Sequence, residues 1–275
     1  MQRRDFLTAG TLSALTLTSS LSAADSDTTE TAPGGGGLPA RQWIEIRTYW
    51  AADEIKKGEL VEKIDSLVIP CRNRAGFEPV GVFTVDRNLH QNDHDYHPRF
   101  DRAVLVVTAS TDLSALIGFP RKAAAERTAG DFINQNPAEL CYVDQTTELL
   151  FAFHGFPALD VPNLSPDRVL QLRRYNSMND NRNLAKIRMF DGRGELPLFQ
   201  RCGMNPVFFG ETLFGDMMPS LTYMLSFENE GVRQAGWKKF VDSPEWKEMS
   251  AEKEFQFTAT RIRNLCLRPS PGSQI

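Results

Sequence analysis

Three of the four histidines in this 275-residue chain, His90, His94 and His97, fall within eight positions, with Asp93 and Asp95 between them. Imidazole and carboxylate donors together can hold zinc or copper with an open coordination position. The spacing matches no standard metal motif, and a solvated hairpin tip accounts for the same residues. The segment reads as a connection between two strands. It runs over 83–100, whereas the corresponding connection later in the chain needs only 210–219, so the histidines lie in an insertion.

A second set of polar side chains sits on β-prone segments: Arg47, Tyr49, Arg173, Tyr175, Glu211 and Tyr223. Turned into a space between two sheets, they would bind a small acid or polarise a carbonyl. Turned elsewhere, they would satisfy one another. Strand parity in these segments allows both. Glu195 follows a Gly-Arg-Gly turn and is expected to cap a short helix starting near Pro197. Trp237, Phe240 and Trp246 lie at helical or cap positions and are expected in the core. Cys71, Cys141, Cys202 and Cys266 have apolar neighbours and are expected as free thiols; none adjoins a histidine in sequence, so no Cys/His nucleophile is indicated. Gly34 to Gly37 lack the Lys-Ser/Thr and the flanking strand and helix of a phosphate loop, and no G-x-S-x-G elbow occurs. No catalytic residue and no cofactor is specified by motif.

The elements that must position these residues repeat. Glu45-Ile46-Arg47-Thr48-Tyr49 aligns with Gln171-Leu172-Arg173-Arg174-Tyr175, and Gly76-Phe77-Glu78-Pro79-Val80 aligns with Gly203-Met204-Asn205-Pro206-Val207, at nearly one offset and in the same order. In the first copy the pattern predicts strands over 43–49, 80–85, 103–108 and 147–153. It also predicts a helix that begins after Asp53 and is closed by Pro70 and then by Gly76, and another over 111–127. In the second copy it predicts strands over 169–175, 207–214, 221–227 and 256–267. Helices are expected over 180–190, near Pro197, over 232–241 and from Ser243-Pro244-Glu245. Each copy is thus a ferredoxin-like β-α-β-β-α-β unit. One such sheet has helices on a single face and must bury the other, so two copies facing each other give an α+β fused dimeric α/β barrel with a space between the sheets.

Around this core the chain divides as 1–24, 25–40, a first repeat over 41–155, a link over 156–167, a second repeat over 168–268 and a tail over 269–275. Residues 1–24 read as an export signal: Arg3-Arg4, then a weakly apolar run over 7–21 too short to span a bilayer, then Ser22-Ala23-Ala24 for cleavage. The paired arginines followed by Phe6-Leu7 resemble a twin-arginine signal, which would make the export machinery a partner and place the protein in the periplasm or otherwise outside the cytoplasm. An uncleaved membrane anchor is the alternative; after cleavage no membrane span is expected. Residues 25–40, with their four glycines, read as a flexible spacer. Hydrophobic residues at 41% and charged residues at 24% are ordinary globular usage and exclude a disordered chain, and a net charge of −4 argues against a nucleic-acid partner.

The second copy resembles the NIPSNAP family. The strings are Lys186-Ile187-Arg188-Met189-Phe190, Phe199-Gln200-Arg201-Cys202-Gly203, Pro206-Val207-Phe208-Phe209-Gly210-Glu211 and Met218-Pro219-Ser220-Leu221-Thr222-Tyr223-Met224. Trp237-Lys238-Lys239-Phe240 followed by Pro244-Glu245-Trp246 belongs to the same pattern. The first copy matches less, through Glu45 to Tyr49 and the Gly76, Pro79 and Val80 pattern. The resemblance implies the same dimeric α/β barrel and no settled reaction, since relatives of the barrel include cofactor-free monooxygenases, haem enzymes and binding proteins. The expected function is small-molecule binding between the sheets. The alternatives are a non-enzymatic interaction domain with a filled barrel, and a metal- or haem-dependent oxidoreductase. Homo-oligomerisation through sheet edges or helices stays open.

Overall fold

The computed structural model describes residues 40–275 except 91, 92, 94, 95, 127–129, 131, 133–135, 137 and 138. The expected export signal, the spacer apart from Ala40, and His94 lie outside the described residues.

Among the described residues eight strands form: β1 Trp43–Ala51, β2 Val80–Val85, β3 Ala103–Ser110, β4 Tyr142–Ala152, β5 Val169–Asn176, β6 Asn205–Phe214, β7 Ser220–Phe227 and β8 Arg261–Pro269. They close into one barrel in the order β1-β3-β2-β8-β5-β7-β6-β4, with every pairing antiparallel. Each half keeps the ferredoxin-like order, β4-β1-β3-β2 and β8-β5-β7-β6, and two seams join the halves. The chain is therefore the α+β fused dimeric α/β barrel that its repeat implies. Strands such as β3, buried along most of their length, are apolar on both faces because the barrel interior covers one and the helices the other.

Among the described residues the helices are α1 Glu54–Lys63, α2 Ile69–Arg74, α3 Leu113–Ala125, α4 Asp180–Asp191, α5 Glu195–Arg201, α6 Glu230–Asp242 and α7 Pro244–Ala251. Asp53 caps α1 by accepting the N–H of Lys56 at 2.8 Å, and Ser243 caps α7 by accepting that of Trp246 at 3.2 Å. Pro70 does not end the first helix. A π-helical turn over Ile64–Val68 leads into α2, and Pro70 sits near its start, where a missing N–H breaks little. β4 begins five residues earlier than its apolar run, and β8 starts only at Arg261, after a short 3-10 turn over Lys253–Phe255.

Three apolar layers result. Ile44, Ile46, Phe83, Leu105, Leu150, Leu170, Leu172, Phe208, Met224 and Leu267 pack inside the barrel. Tyr49, Val82, Val104 and Val106 pack outward on α1 and α2 in the first half. Tyr175, Phe209, Tyr223 and Phe227 pack on Phe190, Phe199 and Phe240 in the second. Residues 269–275, expected as a tail, run back along β2: Gln274 N–H donates to Val80 O at 3.0 Å and Ser270 N–H to Val82 O at 2.8 Å. The Ile275 side chain, 2% exposed, fills the interior beside Gly81, so this end of the barrel is closed. All four cysteines are buried free thiols.

Candidate functional site

Strand parity decides which polar residues reach the interior. On β1, Ile44, Ile46 and Trp50 join the interior cluster, so Glu45, Arg47 and Tyr49 point to the helices. On β5, Leu170 and Leu172 point inward and Tyr175 outward, which carries Arg173 outward too. Tyr223 and Glu211 follow, packing on Phe190 and accepting from Asn183 of α4 at 3.4 Å, respectively. All six candidate side chains thus lie in the helix-facing layers, the second of the two placements that strand parity allowed, where buried polar partners wait. Arg47 donates to Glu45 at 3.0 Å, and Arg72 of α2 donates to Glu45 at 2.7 Å and to Thr108 at 2.6 Å. Burial raises the Glu45 carboxyl, but Arg72 and Arg47 outweigh it and hold the group below its ordinary value. In the second half the Tyr175 and Tyr223 hydroxyls meet at 3.2 Å, and the Arg173 guanidinium lies 4.3 Å over the Trp237 ring. The structure brings Arg173, Tyr175 and Tyr223 together, and separately Arg47 and Tyr49 beside a cavity of about 30 Å³; Glu211 stands apart.

The two described histidines of the cluster, His90 and His97, are each engaged by main-chain N–H groups. His90 is 4% exposed; its Nε2 accepts the N–H of Cys266 at 2.9 Å, and its ring stacks on Tyr96 at 4.5 Å. A nitrogen that already accepts has no free lone pair for a metal, so His90 anchors the insertion to β8. His97 Nδ1 accepts the N–H of Arg99 at 3.1 Å. Among the described residues no group of three or more His, Cys, Asp or Glu is placed to hold a metal ion. Glu195 is not a cap either: Gly194 holds that position, and Glu195 pairs with Lys186 at 2.9 Å, buried in the helix layer of the second half.

The polar end of the barrel is built from residues the sequence reading passed over. Arg174, two positions beyond Leu172, points inward and makes an ion pair across the interior with Glu148 of β4. With Thr48, Thr146, Thr222, Asp216 and Arg263 it lines a cavity of about 130 Å³, walled by Trp50, Phe100 and Leu265. Arg99 lies 3.9 Å over the Trp50 ring and Arg263 5.3 Å over Phe100. The cavity opens into a groove of about 800 Å³ between the insertion, β8 and α6. Burial first, and then the like charge of Arg263, pushes the Arg174 guanidinium down to about 10. Burial, then Arg261, lowers Arg263 as well. Of the cavity's lining, Arg174 Nη1 and the Trp50 indole N–H are buried with no hydrogen-bond partner among the described residues. Unpartnered donors, excess guanidinium and apolar walls suit a small molecule with an anionic group, which would satisfy the orphaned donors and offset the burial of the guanidinium charges. The signal was available: Leu170, Leu172 and Arg174 share parity, as do Ile44, Ile46, Thr48 and Trp50.

The NIPSNAP family profile matches residues 170–274. Among solved structures the chain is similar to a protein of Lactobacillus acidophilus NCFM assigned as a monooxygenase, with a TM-score of 0.55 and 11% identity over 84% of this chain and 94% of that one. A protein of Fusobacterium nucleatum with the same assignment gives 0.56 and 6% identity, covering 85% and 94%. An uncharacterised NIPSNAP-like domain protein of Burkholderia xenovorans gives 0.34 and 18%, covering 38% of this chain and 86% of that one. No curated protein matches the chain. At such identities the first two likenesses establish a shared barrel fold and nothing about the reaction. Residues 170–274 thus carry the match to the NIPSNAP family model, and they form one half of a fused dimeric α/β barrel whose other half is the first repeat.

Proposed function

We propose that this protein binds a small anionic molecule with a flat apolar body in the polar end of its barrel. The observation that carries this reading is Arg174: a guanidinium with 8% of its side chain exposed, paired with Glu148 through Nη2 and beside Arg263, with Nη1 unpartnered in the wall of a cavity of about 130 Å³. A bound carboxylate gains charge-assisted hydrogen bonds there, in a setting that weakens the competition from water. Trp50, Phe100 and Leu265 give the body of the ligand its apolar wall, and the opposite end of the barrel, filled by Ile275 and its neighbours, limits its length.

Benzoate and the uncharged benzamide are suitable probes, with Trp fluorescence and calorimetry as readouts. Benzoate is expected to bind more tightly than benzamide. Arg174→Met is expected to weaken benzoate at least tenfold, in line with about 1.5–3 kcal/mol for a hydrogen bond to a charged group, while leaving benzamide nearly unchanged. Equal binding of the two probes to the unaltered protein, or binding of neither, would overturn the reading.

A further inference from the structure

We infer that the edge of β8 is a docking site for an extended acidic peptide, which adds a strand to the barrel along the groove outside the small-molecule cavity. β8 pairs with β5 from Arg261 to Leu267, but with β2 only at Leu267–Pro269. The β2–β8 seam therefore splays at the polar end. Cys266 shows which main-chain groups face the gap: its N–H goes to His90 and its O accepts from Asp86, both on the far side from β5. By the period of two, the N–H and C=O of Asn264 and Ile262 also point away from β5. Among the described residues nothing bonds to them, and both residues line the groove. An unpaired edge of this kind is a template for another strand.

Length, charge and exposure select the occupant. From Arg261 to Leu265 the free edge spans about 13 Å, long enough for a short strand and not for a helix laid across it. Arg261 and Arg263 make no ion pair within 4.0 Å among the described residues; their side chains lie against the Met217 sulfur at 3.9 and 3.5 Å. Both lie on the interior-facing side of β8, with Leu265, whereas Ile262, 41% exposed, lies on the other. Cross-strand neighbours share a face, so the added strand carries acidic side chains opposite Arg261 and Arg263 and apolar ones opposite Ile262. A second copy pairing edge to edge would set these arginines against their own equivalents, which disfavours self-association here and favours an acidic partner.

The probe is the labelled peptide acetyl-Val-Glu-Val-Glu-Val-Glu-Val-amide, titrated into the intact protein by fluorescence anisotropy at physiological salt. Binding is expected, with the Lys-for-Glu peptide at least tenfold weaker and Arg261→Gln/Arg263→Gln losing that preference. N-methylation supplies the readout that simple charge attraction does not move. In an antiparallel addition the Val residues face Asn264 and Ile262 and make the main-chain bonds, so methylating the Val nitrogens is expected to abolish binding and methylating the Glu nitrogens to spare it. The reverse phase would mean parallel addition on the same edge and would still support the proposal. Equal loss in both phases, equal binding of the Lys peptide, or no binding would overturn it. Arg174→Met separates this site from the cavity: benzoate is lost there and the peptide is kept.

Discussion

Lys186 and Glu195 meet at 2.9 Å with 4% and 2% of their side chains exposed, enclosed by Tyr175, Phe190 and Trp246. Burial raises the Glu195 carboxyl, and Lys186 counters it only in part. Lys186→Met removes the counter-ion and leaves a buried carboxylate, at a cost of about 3–5 kcal/mol near neutral pH. The sign of its pH dependence follows. The folded value of Glu195 rises further above the unfolded one, so the acid form is favoured on folding. The variant should be least impaired below about pH 4.5 and lose stability as pH rises through the raised value. Urea melts at pH 4 and pH 7 check this: a loss equal at both, or larger at pH 4, would show that the carboxylate is not the burdened group. The same scale explains what the sequence could and could not disclose. Types and spacings pointed to polar residues on strands, and such residues are there. Their direction depended on partners from distant helices, such as Arg72 beneath Glu45, and no local pattern shows a partner 27 positions away.

At the scale of elements, apolar alternation located the strands, and caps such as Asp53 and Ser243 located the helix starts. What escaped was set by tertiary contact. The polar first half of β4 is a strand because β1 pairs with it from Tyr142 onward, not because of its own residues. The end of the chain reads as a loose tail, yet its main chain completes the edge of β2 beyond the end of β8 at Pro269. Gly81 is the hinge of that closure in a plain steric sense: a Cβ there would meet the Phe83 ring at 2.6 Å and Ile275 Cδ1 at 2.8 Å. Gly81→Ala is expected to destabilise the fold by about 1–3 kcal/mol through overpacking. Adding Ile275→Ala should recover part of the loss, since the two changes share one contact and will not be additive. Strict additivity in denaturant melts would show that Ile275 does not occupy the closed end as described.

At the scale of the whole molecule, the two halves are alike in path and unlike in charge. The register places Thr48 opposite Thr146 in the first half and Arg174 opposite Arg263 at the matching position in the second; Ile46 faces Glu148 where Leu172 faces Leu265. The interior is thus unequal: at the matching positions the second half places Arg174 and Arg263 where the first places Thr48 and Thr146, and Glu148 comes from the first half. This asymmetry predicts how the second half behaves alone. Its sheet exposes Leu170, Leu172, Phe208 and Met224 on the interior face and has two open edges, β8 and β6, so a fragment spanning 166–275 should pair with itself to rebuild a barrel. That barrel would hold two Arg174 and two Arg263 with no Glu148 between them, and like charges in a poorly solvated space oppose closure. The fragment is therefore expected as a weak dimer. Added benzoate or Arg174→Glu should tighten it at least tenfold, whereas Arg174→Lys should not. Sedimentation velocity across a concentration series measures this, and a tight dimer of the unaltered fragment, indifferent to anions, would show that the pairing of Arg174 with Glu148 does not hold the two halves in their unequal roles.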